Sequence, residues 1–148
     1  MEIWNQVIGQ KMIEPFKIAL SQYDLQEWSG PSHNPEVMKF FEDFPHVTTD
    51  ETSWCAGFVY WCIKEAGMVP KKSLVARDWL NWGVQVFEPE IGDLAIFYRG
   101  EPGGWQGHVA FYVKNDGTNV WVLGGNQSNR VSIEKYAGTK LLGYRRYK

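Results

Sequence analysis

The sequence predicts an α+β fold in which N-terminal helices pack on a largely antiparallel β-sheet. Two observations carry this prediction. Up to about residue 82, apolar residues recur at helical spacing. From residue 84 onwards, β-branched and aromatic segments alternate with Gly, Pro and Asn, which is typical of strands joined by turns. Helices that come first and strands that follow them favour α+β over an alternating arrangement.

The composition indicates one globular domain, which we expect to span 1–148. Of the 148 residues, 44% are hydrophobic and 22% are charged, which is typical of a packed protein. A formal net charge of -2 argues against a nucleic-acid partner, since such proteins carry a strongly basic patch. No stretch approaches the roughly 18 apolar residues of a membrane span. The N-terminus lacks a basic region followed by an apolar run, so we expect synthesis in the cytoplasm without a signal peptide.

Four helices are predicted in the first part of the chain. The first covers 15–28, and the second covers 35–44 with Asn34 as its N-cap and Pro35 at its first position. The third runs from Cys55 to a C-terminal Gly67, and a short fourth covers 73–82. Six strands follow, at 84–87, 93–98, 108–113, 119–123, 131–136 and 141–147.

The third helix begins with the candidate nucleophile, Cys55. Thr52 or Ser53 can serve as its N-cap, which places Cys55 in the first turn. Unsatisfied backbone N–H groups and the helix dipole favour thiolate there. The alternative is a cysteine that only fills the core. Cys62 lies two turns further along, roughly 10 Å away by helix rise, which is too far for a disulfide; we interpret it as a core residue.

The candidate general base is His108. The other two histidines, His33 and His46, lie in polar loops, whereas His108 opens a predicted strand directly after Gly107. A catalytic cysteine needs such a base, and the base needs a polar group to orient its ring. A buried, hydrogen-bonded structural histidine is the alternative.

Hairpin geometry predicts Asn126 as the orienting group. The Asp-Gly pair at 116–117 indicates a tight turn between the third and fourth strands. If Asn115 pairs with Asn119, facing residues sum to 234 and Asn126 lies opposite His108. A turn one residue shorter places Gly125 there instead.

The order Cys, His, Asn is that of papain-type enzymes. An equally open interpretation makes Asn126 a turn residue in the segment 124–129 (GGNQSN). The three histidines show no metal-ligand spacing and no phosphate-binding loop is visible, so the sequence predicts neither a metal site nor a cofactor.

Several motifs resemble those of the CHAP and NlpC-type cysteine peptidases and amidases. They are 54–59 (WCAGFV), 92–97 (GDLAIF), 107–113 (GHVAFYV) and 123–127 (LGGNQ). A further segment, 76–83 (ARDWLNWG), is similar to one in a bacterial and phage subgroup of cell-wall hydrolases. The resemblance implies a papain-like NlpC/CHAP fold. It also implies hydrolysis of an amide bond in peptidoglycan, by a stem-peptide endopeptidase or an N-acetylmuramoyl-L-alanine amidase.

The resemblance carries over three catalytic roles. Cys55 matches the nucleophile, His108 the base, and Asn126 the polar third residue, a position that varies among His, Asn, Gln and Glu in these families. Many CHAP members also have a Glu two residues before the Asn, where this chain has Gly124.

Residues near these motifs are the candidate substrate contacts. They are Trp54, Glu51, Trp79, Trp105 and Gln127. For the tryptophans the alternative is a place in the core, and for Glu51 a solvated surface. The expected partner is peptidoglycan or a muropeptide, with a cognate immunity or inhibitor protein if the chain is a secreted effector. We expect it to act in the periplasm or cell wall, after phage lysis or dedicated secretion, or else on recycled muropeptides in the cytoplasm.

Two other functions fit the same residues. A protein deamidase or transglutaminase uses the same Cys-His pair and differs only in the groups that it joins or releases. A non-catalytic wall-binding module on a papain-like scaffold requires Cys55 to be unreactive.

Overall fold

The computed structural model describes residues 13–29, 32–48 and 53–148. In these ranges three α-helices precede the sheet: α1 (Glu14–Ser21), α2 (Pro35–Met38) and α3 (Cys55–Glu65). Single-turn or two-turn 3-10 helices occupy Lys39–Phe41, Ala76–Asn81 and Gly138–Lys140. The predicted α+β class is therefore confirmed.

The first helix is shorter than the predicted 15–28. It ends at Ser21, and Asp24 then adopts a left-handed φ of 71°. Beyond this point the backbone pairs with the last part of the sheet, where Gln26 forms an antiparallel bridge to Arg130. Tertiary pairing therefore replaces the helix that the local pattern favoured.

The other helices lie at their predicted positions, but parts of two of them are 3-10 helix and not α-helix. The Asn34 side chain accepts a hydrogen bond from the Glu36 N–H at 3.0 Å, which confirms the predicted cap. The segment 35–44 changes from α-helix to 3-10 helix after Met38, and 73–82 is a 3-10 helix at its centre. Gly67 follows α3 with a positive φ of 79°, as predicted for a terminating glycine.

Among the described residues, the sheet has six antiparallel strands. They are β1 (Val84–Val86), β2 (Leu94–Tyr98), β3 (Gly107–Asn115), β4 (Asn119–Gln127), β5 (Arg130–Ala137) and β6 (Leu141–Arg146). Their order across the sheet is β1-β6-β2-β3-β4-β5. The predicted antiparallel sheet is confirmed, with each strand close to its predicted position.

Helix α3 lies against β3, β4 and α1 and supplies the centre of the core. Phe58, Val59 and Cys62 have no exposed surface, so Cys62 is the core residue that its spacing predicted. The opposite face of the sheet carries a second apolar cluster that includes Phe97 and Tyr112. Within the described ranges, none of the helices has the length and apolar character needed to cross a bilayer.

Candidate active site

Cys55 is the first residue of α3 and retains 3% of its surface exposed. Burial raises the pKa of its thiol, whereas the Val109 backbone, the Arg99 charge, the Ala56 backbone and the Ser53 side chain lower it. Because the net direction is upward, Cys55 rests as a thiol. The backbone thus favours the thiolate, as predicted for the start of a helix, but burial outweighs this effect. Trp54 stands at the N-cap without a side-chain cap, and Thr52 lies outside the described residues.

His108 lies at the start of β3 and is fully buried. Its Nε2 is 2.8 Å from Oε1 of Gln127, and its Nδ1 is 3.3 Å from Nη2 of Arg99. A guanidinium can only donate, and an amide oxygen can only accept. The neighbours therefore fix the tautomer: Nε2 carries the proton, and Nδ1 presents its lone pair.

The orientation of the Gln127 amide is fixed independently. Its Nε2 donates to the backbone carbonyl of Ser132 at 2.8 Å, so its Oε1 must be the atom that faces His108. The side chain is buried directly above Gly124, where an added Cβ would lie 2.6 Å from Oε1 of Gln127. The same Cβ would lie 2.7 Å from Cβ of Ala110, so Gln127 and the neighbouring strand both favour glycine at 124.

The predicted contact between Asn126 and His108 is wrong, and the register explains why. Phe111 faces Leu123, as the predicted sum of 234 requires. Closer to the turn, Asn115 pairs with Val120 and not with Asn119. An irregularity in the ladder absorbs this difference, so the register in mid-strand agrees with the prediction.

A second irregularity, in β4, moves Asn126 off its predicted position. Gly124 pairs with Ser132 but Gln127 pairs with Arg130, so β4 holds one extra residue between these pairs. Asn126 takes a left-handed φ of 58°, and its Nδ2 points towards Ser53 Oγ at 3.4 Å. One extra residue reverses the alternation of side chains, and Gln127 takes the place opposite His108.

His108 is held neutral by its surroundings. Burial lowers its pKa from 6.5 to about 3, the hydrogen bond that Nε2 donates to Gln127 opposes this shift, and the Arg99 charge adds to it. The ring of Tyr136, from β5, stacks on the imidazole with centroids 4.8 Å apart. Burial also raises the pKa of Tyr136 to about 12. The pair at rest is therefore a thiol and a neutral imidazole.

A cavity of about 270 Å³ opens beside Cys55. Polar groups and one aromatic ring line much of it: Ser53, Arg99, Trp105 and Gln106. Trp105 leaves 70% of its surface exposed there. A second cavity of about 240 Å³ has mainly apolar walls and is lined by none of the predicted catalytic residues.

The loop that forms one wall of this cavity, 99–106, is held by Arg77. The guanidinium donates to the backbone carbonyls of Gln106 at 2.6 Å, Glu101 at 2.7 Å and Pro102 at 2.8 Å. A fourth contact, to the Arg99 carbonyl, is longer at 3.4 Å. One side chain thus fixes the backbone that carries Arg99 and Trp105.

The predicted substrate contacts have different outcomes. Trp54 and Trp79 are wholly buried in the core, and Gln127 is buried against His108, so none of the three is available to a ligand. Trp105 lies in the cavity beside Cys55, where its role as a contact stays a prediction. Glu51 lies outside the described residues.

Sequence reasoning missed Arg99, Arg77 and Tyr136. A signal for Arg99 was present, because it directly follows β2, whose residue Phe97 pairs with His108. Pairing the two strands in advance would have placed Arg99 beside the histidine. Tyr136 lies one residue before the end of β5, and no local pattern indicates that its ring stacks on a histidine of another strand.

In the part of the chain that the structure describes, no group of three or more His, Cys, Asp or Glu side chains is placed to hold a metal ion.

Comparisons with known proteins indicate a family and a fold. A family model described as CHAP domain matches residues 47–126, a range that contains Cys55 and His108. Among solved structures, the chain is similar to the crystal structure of a lipoprotein-like protein of the NLP/P60 family from Staphylococcus aureus subsp. aureus Mu50. The identity is 21% and the TM-score is 0.50, over 90% of this chain and 40% of that chain.

That second likeness concerns the fold, because the identity is low and this chain spans 40% of the length of the protein it matches. A search of curated proteins finds no match.

Proposed function

The chain belongs to the CHAP domain family, a family of cell-wall hydrolase type, and from this premise we propose that it is a cysteine hydrolase of peptidoglycan. The bond it cleaves is an amide, either within the stem peptide or between N-acetylmuramic acid and L-alanine. Cys55 is the proposed nucleophile, His108 the base, and Gln127 the residue that orients the base.

One observation carries the proposal: the tautomer of His108. The Gln127 carbonyl oxygen holds the proton on Nε2, so Nδ1 carries the lone pair, which contacts Arg99 at rest and acts as the base once that contact is released. A backbone hydrogen bond from Val109, the residue directly after His108, lowers the pKa of the Cys55 thiol, which supports the proposal that the nucleophile and the base act together.

The reaction follows from this arrangement. Nδ1 of His108 takes the proton of the Cys55 thiol as sulphur bonds to the amide carbonyl carbon. The backbone N–H of Cys55, at the start of α3, is placed to donate to the developing oxyanion. Nδ1 then gives its proton to the leaving nitrogen as the C–N bond breaks. Water attacks the thioester carbon and gives a proton to Nδ1; the C–S bond then breaks, the carboxylic acid leaves, and the sulphur takes the proton from Nδ1 to restore the thiol.

The neutral pair suits a general-base mechanism. Since burial raises the pKa of the thiol and lowers that of the imidazole, proton transfer is costly at rest. The proton transfer becomes favourable when it occurs together with formation of the S–C bond, because a free thiolate is then never formed. Trp105, exposed beside the nucleophile, offers a face against which a sugar or peptide group can pack.

The test is digestion of purified peptidoglycan, followed by mass spectrometry of the released fragments. The wild-type protein and a Cys62→Ala control are expected to release fragments, and Cys55→Ala is expected to release none. New amino and carboxyl termini in the fragments identify the bond. If no protein releases fragments but all bind the sacculi, the proposal fails and the wall-binding module takes its place. Release by Cys55→Ala at the wild-type rate would also contradict it.

The site of action stays a prediction from the sequence. Action in the periplasm or wall, after lysis or dedicated secretion, is part of the proposal, and so is an immunity or inhibitor protein in the case of an effector. Such a partner would inhibit the protein by blocking the cavity beside Cys55.

A further inference from the structure

Arg99 is a basic residue that the reaction above does not use, although it lies within the site. It directly follows β2, and its Nη2 is 3.3 Å from Nδ1 of His108. It also lines the cavity that contains Cys55 and Trp105. Its side chain therefore stands between the cavity and the proposed base.

Arg99 has only neutral partners in the described part of the chain. Its guanidinium contacts the imidazole of His108 and interacts with the phenol of Tyr136. No acidic side chain of these residues forms an ion pair with it.

Other arginines of the described residues are held by oxygen acceptors, either carboxylates or backbone carbonyls. Arg146 lies 2.7 Å from the Asp93 carboxylate, and Arg130 lies 3.1 Å from Asp24. Arg77 is held by backbone carbonyls. A guanidinium that faces a cavity with neutral partners favours an anionic ligand, because a carboxylate can accept two parallel charge-assisted hydrogen bonds from it.

We propose that Arg99 is a specificity-determining residue that binds a carboxylate of the substrate beside the scissile amide. The inference rests on the proposed function, since it specifies the substrate class of that hydrolase. The preferred substrate is a peptide with a free carboxylate next to the bond that is cut, and its carboxamide form binds less tightly.

The same contact links recognition to catalysis. At rest, the Nδ1 lone pair accepts from Arg99 and is not free to take the Cys55 proton. A carboxylate is a stronger acceptor for a guanidinium than a neutral imidazole is, so it draws Arg99 away. Nδ1 then accepts the thiol proton as sulphur bonds to carbon, while Nε2 keeps its proton on Gln127 throughout.

A pair of alkylating reagents tests whether Arg99 places a positive charge near Cys55, and this test needs no peptidoglycan. Iodoacetate and iodoacetamide alkylate the same thiolate, but only iodoacetate is anionic. We measure by mass spectrometry the rate of Cys55 alkylation by iodoacetate divided by the rate with iodoacetamide. This ratio does not depend on the fraction of Cys55 that is thiolate. In Arg99→Gln this ratio should fall roughly tenfold. Arg99→Lys should retain part of it, and Lys140→Gln, which removes a positive charge from the exposed turn before β6, should retain all of it.

A matched pair of stem peptides tests the substrate class. The two peptides differ only in a carboxylate or a carboxamide next to the scissile bond. The wild type should show a lower KM for the carboxylate form, and Arg99→Gln should remove this preference mainly through KM. Circular dichroism establishes that the variants are folded.

The outcomes separate this inference from the proposed function. An unchanged alkylation ratio in Arg99→Gln overturns the inference, and so does equal cleavage of the two peptides by the wild type. A tenfold fall in the ratio with neither peptide cleaved supports Arg99 as the anion-binding residue. The hydrolase function would be overturned instead if purified peptidoglycan also released no fragments.

Discussion

Protonation of His108 should destabilise the folded protein, and the effect can be isolated by substitution. The imidazole is fully buried and its pKa falls from 6.5 to about 3 on folding. In the unfolded chain His108 binds a proton below pH 6.5, whereas in the folded chain it binds one only below about pH 3. The contribution of neutral His108 to the free energy of unfolding is therefore complete above pH 6.5 and is lost as the pH falls from 6.5 to about 3.

The magnitude follows from the window. Each pH unit below the unfolded pKa costs about 1.4 kcal/mol while the folded imidazole stays neutral. Between pH 7.5 and pH 5 the loss due to His108 is thus about 2 kcal/mol. In His108→Gln this contribution is absent, so its free energy of unfolding should fall by about 2 kcal/mol less over the same range.

The assay is urea unfolding of both proteins at the two pH values, followed by tryptophan fluorescence. The two proteins share all carboxylates, so the difference between their pH dependences isolates His108. A His46→Gln control, which changes an exposed histidine, should keep the wild-type fall. Equal pH dependence in wild type and His108→Gln would mean that the folded protein protonates His108 freely, and the neutral-pair account would be wrong.

Three further predictions concern the same site. Because the free base is neutral down to about pH 3, kcat/KM should stay level from pH 7 to pH 5, and a fall centred near 6.5 would argue for an exposed imidazole. Gln127→Leu should lower kcat roughly 100-fold in a folded protein, since Nε2 loses its acceptor; full activity would remove Gln127 from the mechanism. Arg77→Ala should cost about 2 kcal/mol in urea unfolding and expose the loop 99–106 to limited proteolysis, whereas a loop that stays resistant would show that other contacts hold it.

Much of this fold was predictable, because local signals and tertiary structure agree in most elements. The Cys55 helix ends at a glycine with positive φ, and the strands lie between turn residues, as their patterns indicate. The first helix is the exception. Its sequence favours helix to residue 28, but pairing with β5 takes over after Asp24, and no local pattern reveals a partner so distant in sequence.

The site was predictable in its chemistry and less so in its geometry. Cys55 and His108 stand out by residue type and by position at the start of a helix and a strand. The third residue depended on register, and one extra residue in β4 was enough to exchange Asn126 for Gln127. A bulge of this kind arises from the left-handed backbone at Asn126 and from packing around Gly124, which a pairing rule does not include.

The most direct test of the central claim is to measure residual activity against the extent of Cys55 alkylation. Wild-type protein is treated with increasing iodoacetamide, modification of Cys55 and Cys62 is quantified by mass spectrometry, and release of peptidoglycan fragments is measured on the same samples. Activity should fall in direct proportion to modification of Cys55 while the buried Cys62 stays unmodified. Protein that is fully alkylated at Cys55 and still releases fragments would contradict its role as the nucleophile.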